Sequence, residues 1–147
     1  MARMTNTGIE VLEAELQRIE KGLRGKATEA MLNAGAEVLI GAWQDEIRES
    51  HRKTSTRDLM ASSVNKTEIR YTGDGASIEV YPMGNDTGHR ITNAAKAFII
   101  HHGRQATRKG TKEIKGDKFV TKAERRKKAE VMAAMQNAMN EFIGGKE

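Results

Sequence analysis

Between Asn93 and Gly103 lies the densest apolar run of the chain: Ala94, Ala95, Ala97, Phe98, Ile99 and Ile100. Asn93 is a helix-start residue and Gly103 a helix-stop residue, so the segment predicts a short buried helix near 93–102. It constrains the rest because the pattern changes on either side of it. Before it come amphipathic helical patterns and then strict alternation; after it come a basic loop and one last helical pattern.

Thr7 and Glu10 form a capping box, and Ile9, Leu12, Leu16, Ile19 and Leu23 recur at spacings of three and four, one apolar stripe of a helix. Gly22 and Gly25 end or bend it. A second helical pattern runs from about Lys26 to Ser50, with Ala27, Met31, Ala34, Val38, Ala42 and Ile47 near one face. Its small residues, including Gly35 and Ala36, favour close helix packing within the chain over a subunit contact. His51–Thr56 reads as a surface loop, and Thr56–Val64 as a turn or a single helical turn. From Val64 to Tyr71 the residues Asn65, Thr67, Ile69 and Tyr71 alternate with Lys66, Glu68 and Arg70, the period of a half-buried strand. After Gly73-Asp74-Gly75, the alternation of Ala76, Ile78 and Val80 with Ser77, Glu79 and Tyr81 supplies the partner strand, which Pro82 stops. The last helix is expected from a capping box at Thr121 and Glu124 to about Ile143, with Ala123, Val131, Met135, Ala138 and Phe142 on its face and Met132 and Met139 alongside as ordinary core filling. The expected class is α+β: N-terminal helices, a small antiparallel sheet including a hairpin near 64–81, the short buried helix and a C-terminal helix. Its 147 residues fit one domain.

Only 37% of residues are hydrophobic and 4% aromatic, so the core is lean, and a chain that completes its buried surface in an oligomer or on a partner suits that composition. The absence of cysteine leaves no disulfide framework and no thiolate chemistry. No apolar run nears the ~20 residues that span a bilayer, and the N-terminus lacks a signal-peptide stretch, so a cytoplasmic location without membrane contact is expected. Charge is concentrated: from Arg104 to Lys128 eleven Lys or Arg face only Glu113, Asp117 and Glu124. Arg104, Arg108, Lys109, Lys112, Lys115, Lys118, Lys122, Arg125 and Arg126 are the candidate contacts to an acidic protein face or to phosphate. The loop near 104–118 is expected to be mobile in the isolated chain.

Chemistry is hard to find. His89, His101, His102 and Asn93 invite comparison with a histidine-asparagine nuclease, but adjacent histidines on a helix point about 100° apart and cannot chelate together. Ser50-His51 or Ser62-Ser63 with Asp58 lacks a nucleophile elbow, and Gly73-x-Gly75 precedes no helix that would cradle phosphate. The expectation is a non-enzyme with no catalytic residue, metal or cofactor. A metal-dependent nuclease using His101 or His102 with Asp117 is the weakest alternative. A small basic nucleic-acid-binding module using Arg104–Lys128 is the stronger one, although six aromatic residues offer little for base stacking.

The order of these features resembles the tail-completion, or head-to-tail joining, family of minor structural proteins of long-tailed bacteriophages. The resemblance runs through the leading helical pair and a T-x-x-L-x-x-S turn (Thr56, Leu59, Ser62) entering the hairpin. It continues through N-A-x-x-A-F-I-x-x-x-G (Asn93, Ala97, Phe98, Gly103) and a loop that ends at Phe119 before the closing helix. It implies a non-enzymatic virion protein that assembles as a homo-oligomeric ring, a hexamer being one such size, between neck and tail tube. Its partners would be neighbouring neck or tail proteins, with a weak sequence-independent DNA contact as a further option. Its locations would be the host cytoplasm during assembly and then the virion.

Overall fold

The computed structural model describes residues 7–23, 25–50, 54–73, 75–85, 91–107 and 109–144. Among the described residues, five helices and three two-stranded antiparallel ladders make an α+β fold. Helix α1 (Thr7–Leu23) turns at Gly25 into α2 (Lys26–Ser50), and α3 (Thr54–Ser63) leads into the strands. Strands β1 (Val64–Lys66), β2 (Arg70–Thr72), β3 (Gly75–Ser77) and β4 (Val80–Pro82) precede α4 (Asn93–His102). A small hairpin, β5 (Gly103–Arg104) and β6 (Ile114–Lys115), then delivers the chain to α5 (Phe119–Ile143).

Helices α2 and α5 form the spine and run antiparallel, since Gly35 lies against Val131 and Met135, Glu46 against Arg126, and Trp43 against Phe119. The small residues of α2 therefore serve packing within the chain: a Cβ on Gly35 would come within 2.8 Å of Met135 Cγ. Among the described residues ten hydrophobic ones are buried, six of them alanine, and the central cluster joins Ile47, Met60, Ala61, Val64, Ala97 and Phe119. Alanine contributes little apolar area, so this core is as lean as the composition requires.

The hairpin is present, but as two ladders out of step. Val64 pairs with Pro82 and Lys66 with Val80, whereas Arg70 pairs with Ser77 and Tyr71 with Ala76. Thr67 still faces Glu79, its N–H donating to the Glu79 carbonyl at 2.9 Å, so Glu68 and Ile69 together oppose Ile78. That extra residue is a β-bulge. It corrects the expected strand phase: the face shared with Val80 carries Val64 and Lys66 before the bulge and Tyr71 after it, and Asn65 is exposed.

Three boundaries also differ from expectation. The stretch read as a turn after Thr56 is a ten-residue helix, α3, which closes with Ser62 and Ser63 hydroxyls donating to the carbonyls of Leu59 and Met60; of the expected surface loop before it, 51–53 lie outside the described residues and Thr54–Thr56 are helical. The N-cap of α4 is Thr92, whose side chain accepts from the Ala95 amide; Asn93 is already helical and its Nδ2 donates to Met83 O at 2.8 Å. Helix α5 begins at Phe119, two residues before the expected capping box. Helix α4 stands where it was expected, but its burial is one-sided: Ala97 is buried while Phe98 is 63% exposed. Among the described residues no helix is long and apolar enough to cross a membrane.

Candidate functional site

The region that collects the basic residues is built on the C-terminal end of α4. A helix leaves its last carbonyls without intrahelical partners, and here the returning chain supplies them. Gly103 N–H, at φ 84°, donates to Ile99 O; Asp117 N–H donates to Ile100 O at 3.0 Å, and Lys118 N–H to His101 O at 3.2 Å. This return requires two glycines. A Cβ on Gly103 would stand 2.5 Å from Ile114 O, and one on Gly116 would stand 2.6 Å from His101 O.

The same residues start α5. Asp117 Oδ1 accepts from Phe119 N–H at 3.0 Å, and His101 Nδ1 accepts from Val120 N–H at 3.3 Å. Lys118 between them holds φ 57°, the one positive φ of a non-glycine residue among those described. An imidazole that accepts at Nδ1 carries its proton on Nε2. Burial first, then the charges of His102 and Lys118, lower the His101 pKa from 6.5, with Asp117 and Glu124 opposing. The neutral ring thus belongs to the folded state, and the unfolded chain binds the extra proton. Stability contributed by His101 is therefore complete above 6.5, the ordinary histidine value, and is lost as pH falls below it. The melting temperature of the wild type is expected to fall faster across that range than that of His101→Asn, which keeps an acceptor near the Nδ1 position without titrating there.

Next to this junction an open groove of about 240 Å³ is lined by Trp43, Tyr81, Pro82, Phe98, His101 and Phe119, among others. Phe119 is its floor, edge-on to Trp43 at 5.7 Å and to His101 at 5.8 Å. His102 lines the groove as well, its ring 4.4 Å from that of Phe98 and 4.5 Å from that of His101. His101 Nδ1 and Asp117 Oδ1 are both engaged by α5 amides. Among the described residues no group of three His, Cys, Asp or Glu is placed to hold a metal ion.

The candidate contact residues divide into two groups. Arg104, Lys109, Lys112 and Lys115 are exposed on the β5–β6 hairpin, whose tip is tied by a Thr107–Thr111 hydroxyl contact; Lys118, Lys122 and Arg125 continue the exposed basic surface along α5. Arg126 belongs elsewhere. Its guanidinium lies 2.7 Å from Glu46, which is 3% exposed, and 2.9 Å from Glu49. The Glu49 hydrogen bond, followed by the charges of Glu46 and Glu49, raises its pKa, so Arg126 serves the α2–α5 contact. Arg108 lies outside the described residues.

The residues of the phage-like motif also separate. Ala97, Phe119 and Gly103 are core or backbone pivots, whereas Leu59 and Phe98 are more than half exposed. Ser62 closes α3 and Asn93 ties α4 to Met83. Thr56 is in the first turn of α3, its side chain outside the described set. Sequence reasoning missed Trp43 and Tyr81 as groove walls and Gly116 as a point of close backbone approach. Glycine in the loop was a visible signal for the last; nothing local marked the other two.

The chain matches no family model, no curated protein and no solved structure.

Proposed function

We propose that this chain is a non-enzymatic structural subunit of a long-tailed bacteriophage, acting in tail completion or head-to-tail joining and assembling as a ring between neck and tail tube. The observation that carries the reading is the large apolar surface the subunit leaves uncovered. Val11, Leu12, Leu16, Leu59, Phe98 and Met132 are each more than half exposed, beside a buried core that is mostly alanine. Apolar exposure on this scale favours a subunit that completes its burial against neighbours.

The exposed cations of the β5–β6 hairpin and of α5 suit docking on an acidic face of an adjoining neck or tail protein. A weak contact to DNA passing through the junction is the second reading, and the same row of exposed lysines favours it. Phosphate binding would make retention on duplex DNA fall steeply with salt, whereas docking on protein predicts little retention even at low salt.

The deciding experiment is electron microscopy of lysates from the parent phage with an early stop codon in this gene. Filled heads separate from finished tails are expected. Normally joined particles would overturn the proposal.

A further inference from the structure

Two apolar surfaces of the subunit carry opposite charge. On α1, Leu12 and Leu16 are 59% and 56% exposed. At about 100° per residue, Glu13 and Glu15 fall on opposite sides of the line they form. Across Thr7–Leu23 four glutamates stand against Arg18 and Lys21. Between α2 and α5 an open groove of about 450 Å³ has Leu39, Val131 and Met132 for its apolar lining and Arg125 and Lys128 as its cations, with Glu124 as its one acid. Met132 in that groove is 59% exposed.

We infer that α1 of one copy lies in the α2–α5 groove of the next, with Leu12 and Leu16 against Leu39, Val131 and Met132, and Glu13 and Glu15 facing Arg125 and Lys128. Charge complementarity selects a second copy as the occupant, since the acidic rim of one surface meets the basic rim of the other within the same sequence. The two patches differ, so the contact is head-to-tail, the kind that closes into a ring when its rotation permits.

The area limits how strong one contact can be. A helix of 17 residues is about 25 Å long, and one face of it covers on the order of 500 Å² per partner, less than the ~800 Å² typical of a stable pair. A single contact is weak, and closure of the ring multiplies it. The inference rests on the ring reading given above. Its test uses the purified chain in solution, so it can fail while the phage phenotype stands.

The test is sedimentation velocity across the micromolar range on wild type, on Glu13→Lys with Glu15→Lys, and on Arg125→Glu with Lys128→Glu, with circular dichroism to confirm equal helix content. Wild type is expected to associate, and each double variant to associate at least about tenfold more weakly. An equimolar mixture of the two variants is expected to regain association, because each interface then pairs opposite charges in an alternating assembly. A monomeric wild type would overturn the inference, as would either variant associating like wild type. A mixture that stays monomeric would also overturn it.

Discussion

Phe119→Ala is expected to destabilise the fold by about 3–5 kcal/mol, the range for removing a fully buried aromatic side chain. Phe119 has no exposed surface and belongs to the cluster with Ile47, Met60, Ala61, Val64 and Ala97. It also makes the edge-to-face contacts with Trp43 and His101 that fix the start of α5 on α2 and α4. With alanine making up six of the ten buried hydrophobic residues among those described, few large side chains remain to carry the core. A loss of that size consumes much of the ~5–15 kcal/mol by which domains are stable. The void would open into the Trp43 groove, where water can enter, and this sets the cost nearer the lower end. Urea denaturation followed by Trp43 fluorescence measures it; a change below ~1 kcal/mol would show that Phe119 is not the centre of the core.

The second large effect concerns the junction between α4 and the hairpin. Gly103→Ala is expected to cost ~3 kcal/mol or more, since φ 84° with ψ 177° is a region open essentially to glycine alone. The added Cβ would also stand 2.5 Å from Ile114 O, a backbone atom that cannot rotate away. Gly116→Ala separates the two causes, because its obstruction is the approach to His101 O at 2.6 Å without a positive φ. In both variants the hairpin is expected to leave α4, exposing the carbonyls of Ile99, Ile100 and His101, while the α2–α5 pair stays folded. Trypsin cleavage after Lys109, Lys112 and Lys115 should then accelerate well before cleavage within α2. Unchanged cleavage rates would show that the return of the chain does not depend on the glycines.

The periodic elements were legible in the sequence because side-chain period reports burial directly. Helix α2 begins and ends where its pattern does, and Ala76, Ile78 and Val80 are half-buried as their alternation implies. What escaped were features set by contacts between distant segments. The bulge opposite Ile78 exists so that Val64 and Tyr71, an odd number of residues apart, can share a face; no local pattern displays that. The start of α5 was misplaced because Asp117 and His101 cap it, and His101 reaches it from another helix. Of the basic row, Arg126 was indistinguishable in sequence from Arg125, yet the two occupy different sides of α5.

Small residues on a helix face leave room for a close approach, and what fills that room decides the register. Where α2 meets α5, Gly35 and Ala42 of one lie with Ala123, Val131 and Met135 of the other. Moving α5 by one turn, about 5.4 Å, would take Met135 off Gly35 and Phe119 off Trp43, and would carry Arg126 away from the Glu46 carboxylate, which is 3% exposed. The ion pair therefore acts with Met135 and Phe119 in selecting one register, and with it the alignment of Leu39 with Val131 and Met132 that shapes the groove.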